Sequence, residues 1–299
     1  MSARHWGLLF LLALLWGSSF FFYKVLVAVL PPVTVVLGRV GIAALAMNLW
    51  LVAQGAPMPL GRRLWARFML LGLSNIVIPY ILIAWGETRI PSGLASVLNA
   101  TTPIFMVAVA HYGTDDEKLS WGKTIGIALG ILGVMVLVGR DAFAGAGYMW
   151  GALAVIGSSC AYGFGGVYSR RFTDLPPMQA ATGQITAAAI QLVPLSLVFD
   201  QPWTLPMPGW PAWASLLAIA LVNTALAYFI YFRLVATAGA TFISLVTLLI
   251  PVIALLLGAA FLGESITVQT LAGTAIIALG LLTIDGRLIR LPSNRRRLR

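Results

Sequence analysis

The sequence holds one cysteine, two histidines and nine acidic residues in 299 positions. A single thiol excludes an internal disulfide and a thiolate metal site. Cys160 lies inside an apolar run and reads as filler. His5 and His111 stand at the borders of apolar runs, and the chain has no HExxH and no GxSxG pattern. Neither a metal site nor a serine–histidine pair can then be assembled at depth, which argues against an intramembrane enzyme; no metal and no cofactor are expected. Charged residues make up 9% of the chain, against roughly 25% in an ordinary soluble domain. Long polar loops are missing as well, so there is little docking surface for a scaffold or receptor.

What is present is apolar. The hydrophobic fraction is 60% and mean hydropathy is +0.94, which marks an all-α integral membrane protein in contact with the lipid bilayer. At about 20 residues per spanning helix, ten transmembrane helices are expected. They fall at 6–28, 33–53, 66–86, 91–111, 121–139, 148–169, 177–199, 211–231, 240–262 and 268–285. The first run continues past Trp16 without a small-residue cleavage site, so it is read as a retained helix rather than a signal peptide. The net charge of +10 is a topology signal, not a nucleic-acid footprint, because the basic residues cluster where apolar runs end. With ten spans, Arg4, Arg62, Arg63, Arg67, Lys118, Lys123, Arg170, Arg171, Arg233 and the tail arginines from Arg287 to Arg299 share one side. Arg89 and Arg140 lie on the other. The positive-inside rule then places both termini in the cytoplasm of a multi-pass inner (plasma) membrane protein.

The chain also reads as a duplication. Shifted by 148 residues, Trp65 falls on Trp213, Asn75 on Asn223, Tyr80 on Tyr228, Ser96 on Ser244 and Pro103 on Pro251. Gly17-Ser18-Ser19 recurs as Gly157-Ser158-Ser159, Leu30-Pro31-Pro32 as Leu175-Pro176-Pro177, and Glu117, Gly126 and Gly133 as Glu264, Gly273 and Gly280. Two five-helix units, 1–146 and 147–299, account for these matches. Because five is odd, the second copy enters the membrane upside down, an architecture characteristic of secondary transporters.

Trp16-Gly17-Ser18-Ser19-Phe20, Arg39, the run from Ala95 to Pro103 with its copy from Ile243 to Pro251, and Leu262-Gly263-Glu264 carry a family likeness. In order and spacing the chain resembles the drug/metabolite transporter superfamily and, within it, the ten-helix EamA family. Its nearest likeness there is to YddG-type exporters of aromatic amino acids. The first copy departs from the pattern, with Asp115-Asp116-Glu117 where the second has Leu-Gly-Glu, so no role carries over to Glu117. The resemblance implies ten helices around a central cavity and export of small metabolites by alternating access.

Depth along each helix, at about 1.5 Å per residue, selects candidate substrate-binding residues. Asn75 and Asn223 fall near the midplane, Tyr80 with Ser96 and Asn99 in the outer half, and Tyr228 with Ser244 and Thr247 in the inner half. Trp16, Ser19 and Tyr23 share a face of helix 1, with Ser159 and Tyr162 near their repeat equivalents on helix 6. Such polar residues either bind cargo or hydrogen-bond between helices, and an aromatic stripe either stacks on cargo or packs. Pro103 and Pro251 are candidate hinges that remove a backbone donor within their helices; a static bend is the alternative. Arg39 and Lys24 are the charges placed within spans, where charge is costly unless paired or wet. Lys24 either acts in transport or snorkels, and Arg39 either acts there or binds carbonyls or an aromatic face. Glu87 and Glu264, at helix ends, read as solvated. No span carries an acidic residue at mid-membrane, which favours neutral or zwitterionic cargo. Gly122, Gly126 and Gly130 form a small-xxx-small ladder for packing within a monomer or for a dimer contact.

Reporter fusions check the orientation. Green fluorescent protein at the C-terminus should fluoresce and alkaline phosphatase there should be inactive; the reverse pattern would invert the topology.

Overall fold

The computed structural model describes residues 2–113, 119–139 and 145–286. Glu117, Lys118, Arg140 and the basic tail from Arg287 lie outside the described residues. Eight helices are long and apolar enough to cross a membrane. They are α1 (Ala3–Val27), α2 (Pro32–Ala53), α3 (Arg62–Glu87), α4 (Ser92–Gly113), α5 (Trp121–Val138), α6 (Ala146–Ser169), α7 (Pro177–Phe199) and α8 (Trp210–Ala238). Two shorter apolar helices follow, α9 (Val246–Phe261) and α10 (Val268–Ile284). The described residues contain no strand. The expected ninth span, 240–262, is divided: a single turn at Ala240–Ile243 precedes α9, with the break at Ser244–Leu245.

Helix starts follow local chemistry. Ser2 and His5 cap α1 reciprocally, Ser120 accepts from the Lys123 amide at the start of α5, and Thr267 accepts from the Thr270 amide at the start of α10. Pro32 and Pro177 open α2 and α7, where a missing N–H costs nothing because the first-turn donors have no intrahelical partner.

Packing joins the two halves of the chain and repeats under exchange between them. Helix α1 packs on α9 as α6 packs on α4, α1 on α8 as α6 on α3, and α2 on α8 as α7 on α3. The pairs α2–α7, α4–α9 and α5–α10 complete the set. Close approach in the last of these requires glycine. A Cβ on Gly126 would lie 2.6 Å from the Gly280 carbonyl oxygen, and one on Gly280 would lie 2.7 Å from that of Gly126. Further along the ladder, Gly130 faces the Ile104 side chain of α4, whereas a Cβ on Gly122 would make only ordinary contacts, 3.9 Å from the Thr283 carbonyl oxygen and 4.0 Å from Ser120 Oγ.

Three helices carry irregular turns. Leu73–Val77 of α3 and Ala218–Leu226 of α8 are π-helical, and they contain Asn75 and Asn223. The first π stretch precedes Pro79, whose ring and missing N–H disrupt the regular ladder at residue 75. Helix α4 consists of two segments, Ser92–Asn99 and Thr102–Gly113. Pro103 therefore sits in the first turn of the second segment and does not kink a continuous helix. Its ring excludes the carbonyl of residue 99 from the helical ladder, so the chain breaks just before it. Pro251 lies inside α9, which runs on through it. The two prolines thus do not create matching bends: one follows a break directly, and the other is several residues past one.

Overpacking of a helix contact costs about 1–3 kcal/mol. Gly126→Val should lower the thermal unfolding temperature of the purified protein, whereas Gly122→Val should leave it unchanged. Equal effects would show that the α5–α10 contact is not the limiting one.

Candidate functional site

Two amide side chains lie at the irregular turns, and each is held by the other half of the chain. The Asn75 Nδ2 donates to Gln184 Oε1 of α7 at 3.0 Å, and Gln184 Nε2 donates to the Tyr228 hydroxyl at 3.5 Å. The Asn223 Nδ2 donates to Ser18 Oγ at 2.9 Å and Ser19 Oγ at 3.3 Å on α1. Gly165 of α6 makes room for Asn75: a Cβ there would lie 2.8 Å from the Asn75 Cβ and Oδ1. Gln184 thus bridges Asn75, expected near the midplane, to Tyr228, expected in the inner half. Gln184, Ser18 and Thr224 are missing from the residues expected at the site. An amide in an apolar helix is the signal that selected the asparagines, and it applies equally to Gln184.

At the centre lies Arg39 of α2, 4% exposed. Its Nε donates to Thr224 Oγ1 at 2.9 Å, and Thr224 in turn donates to the Ile219 carbonyl at 2.8 Å, within the π-helical stretch. The guanidinium carbon stands 4.2 Å from the Tyr80 ring centroid and 5.0 Å from that of Tyr23. Tyr80 also meets Tyr23 and Tyr162 edge to face, with centroids 6.3 and 6.4 Å apart. No described carboxylate lies within 4.0 Å of the guanidinium. Burying such a charge costs several kcal/mol. One charge-assisted hydrogen bond returns about 1.5–3 kcal/mol, and a ring face about 0.5–2 kcal/mol. These contacts hold the arginine in place without neutralising it.

The remaining candidates divide. Trp16 is half-buried, its ring 5.6 Å from that of Tyr231. Tyr228 stacks on Phe232 with centroids 6.0 Å apart. Asn99 and Ser159 belong to the break in α4: the Asn99 carbonyl accepts from Thr102 Oγ1 at 2.7 Å and from Ser159 Oγ at 3.3 Å. Thr102 and Ser159 thereby satisfy a carbonyl freed by Pro103. Ser96 is fully buried and its hydroxyl has no hydrogen-bond partner. Ser244 lies in the break before α9 and donates to Asp285 Oδ2 at 3.0 Å, and Thr247 donates to the Ser244 carbonyl at 2.7 Å.

The α3–α4 turn is held by side chains from other helices. Lys24 Nζ donates to the carbonyls of Glu87 at 2.6 Å and Ile90 at 2.9 Å, so it closes this turn instead of reaching outward to solvent. Glu264, before α10, accepts from the Ser92 amide at 2.7 Å, the Ser92 hydroxyl at 3.0 Å and the Gly93 amide at 3.0 Å. It caps α4 from the other half of the chain. Glu87 is 0% exposed, with no hydrogen bond to either carboxylate oxygen. The expectation that both glutamates are solvated is corrected: the first is enclosed by packing around Lys24, and the second is held by amides. A groove of about 420 Å³ between α2 and the 202–216 stretch is lined mainly by apolar residues, among them Leu37, Pro206 and Trp213. It contains none of the expected site residues.

Eight apolar helices long enough to span a membrane, with polar contacts gathered between the two halves, define an integral membrane protein of transporter type. The chain belongs to the EamA-like transporter family, whose model matches residues 5–139 and again 149–284. It is 28% identical over 282 residues to the uncharacterized inner membrane transporter YedA of Escherichia coli (strain K12), covering 93% of this chain and 90% of that one. It is 25% identical over 289 residues to a probable amino-acid metabolite efflux pump of Salmonella typhimurium, with 94% of each chain covered. A probable terminal-alkyne amino-acid exporter of Streptantibioticus cattleyicolor is 28% identical over 305 residues, covering 96% of this chain and 95% of the relative. One solved structure superposes with a TM-score of 0.68 at 18% identity over 97% of this chain and 100% of its own, a likeness of fold alone.

Removing one partner of a buried hydrogen bond costs about 1–3 kcal/mol, and removing both costs less. Gln184→Leu should destabilise the protein, and Asn75→Leu added to it should cost less than the sum of the two single changes. Strict additivity in thermal unfolding would show that the pair is not coupled.

Proposed function

We propose that the protein is a secondary transporter that exports small amphipathic metabolites, above all amino acids including aromatic ones, by alternating access. In this reading ten spans form two inverted five-helix repeats, 1–146 and 147–299, with both termini cytoplasmic. The observation that carries it is the placement of Asn75 and Asn223. Each sits on a π-helical stretch of its own half, and each is hydrogen-bonded by a helix of the other half. Irregular turns of this kind recur at functional sites, and in transporters the site lies where two repeats meet. A change in how the halves pack would alter both amide contacts at once. Tyr80 and Tyr162 supply ring surface next to Arg39, suited to an apolar or aromatic body, while amides and hydroxyls receive a polar end. The likeness to relatives named for amino-acid efflux and export supports the same cargo class. The contacts that hold the α3–α4 turn fit a conformation closed at one end.

Proteoliposomes holding the purified protein test this reading with labelled phenylalanine, threonine and a nucleotide sugar. Phenylalanine flux is expected, reduced about tenfold or more by Asn75→Ala and by Tyr228→Phe, the scale of a lost buried hydrogen bond. No flux of any of the three, or flux of the nucleotide sugar alone, would overturn it.

A further inference from the structure

We propose that Arg39 is the anchor for a carboxylate on the cargo, so that the transporter selects small molecules bearing a single anionic group beside an apolar or aromatic body. The inference rests on the transporter reading for its setting. It stands on the geometry of Arg39 for its chemistry.

Arg39 enters from the interior of α2, seven residues after Pro32, or about 10 Å along the helix. It is buried and does not extend to the end of the bundle. Its hydrogen bond to Thr224 uses Nε and leaves the two terminal nitrogens without a hydrogen-bond partner among the described residues. Thr224 is itself fixed by its bond to the Ile219 carbonyl, so one edge of the guanidinium plane is pinned and the opposite fork is presented. That fork matches the two oxygens of a carboxylate. Beside it lies the buried Tyr23 hydroxyl, whose interaction within the protein is with this same guanidinium. The ring faces of Tyr80 and Tyr23 flank the guanidinium, and Tyr162 extends the aromatic surface away from it.

The charge count favours a carboxylate over a phosphate. Lys24, the other basic residue inside the spans, is committed to the carbonyls of Glu87 and Ile90. Among the described residues that pack around Tyr23 and Tyr80, Arg39 is then the cation offered to the cargo, a single charge that matches a monoanion better than a phosphate dianion. Glu87, though buried, is not within ion-pairing distance of Arg39. The arginine is thus not already neutralised by the protein.

The test uses the full chain in detergent, with 3-phenylpropionate, phenethylamine and phenyl phosphate as probes of thermal unfolding. The first is expected to raise the unfolding temperature and the other two are not. Arg39→Gln should abolish the response, and Arg39→Lys should keep part of it, because an ammonium pairs with a carboxylate without the bidentate fork. Equal stabilisation by phenethylamine, preference for phenyl phosphate, no response to any probe, or a full response in Arg39→Gln would each overturn the proposal. Should Arg39→Gln fail to fold, the discrimination shown by the unmodified protein decides alone. The same probes are then run as competitors of labelled phenylalanine flux in proteoliposomes, where phenethylamine should compete about tenfold or more weakly than 3-phenylpropionate. Phenylalanine flux with equal competition by phenethylamine would remove the anchor and leave transport standing. Selective carboxylate binding without flux of any substrate would do the reverse.

Discussion

Within a bilayer every backbone N–H and C=O must find a partner inside the protein, and this constraint governs where the chain can depart from regular helix. It does so at few places, and each departure draws a polar side chain to it. The π-helical turns hold Asn75 and Asn223. The break in α4 exposes the Asn99 carbonyl, which Thr102 and Ser159 satisfy. Thr224 bonds back to the Ile219 carbonyl and at the same time receives Arg39. Part of the core's polarity therefore sits at the irregular turns, and Arg39 and Gln184 reach those turns from regular helices. Those turns in turn lie where helices of the two halves meet.

Electrostatics then separates the groups that hold the structure together from those left with capacity to spare. Glu264 spends its carboxylate on the first amides of α4, and Lys24 spends its ammonium on the α3–α4 turn. Both contacts hold this turn. Arg39 is different: its contacts are a hydroxyl and two ring faces, none of which carries an opposite charge. Glu87 is a second buried ionisable group; its carboxylate oxygens make no hydrogen bond, and it lies at the α3–α4 turn.

Much of this was legible in the sequence. Apolar runs marked the helices, and rare residues at a constant offset marked the duplication, because Asn, Tyr, Ser and Pro stand out against interchangeable aliphatic filler. The π-helical turns were not legible. Pro79 accounts for the first, but Ala218–Leu226 has no proline beside it to announce the second. The pairing of Glu264 with Ser92 was also hidden, because a loop glutamate reads as solvated until the opposite half of the chain is packed against it. Ser96 and Ser244 share a repeat position yet differ in surroundings, one fully buried and the other in a break near Asp285. Matching residue types therefore did not guarantee matching roles. Copies of a helix pair keep their spacing while neighbouring contacts drift.

The account centres on one place, the junction of the two halves at Arg39, Tyr80 and Asn75, as the point where cargo is held. An experimental structure of the protein with phenylalanine bound tests that claim most directly. The account predicts density with its carboxylate on the terminal nitrogens of Arg39 and its ring against Tyr80 or Tyr162, touching residues from both halves of the chain. Density confined to the apolar groove between α2 and Trp213, with the guanidinium untouched, would contradict it.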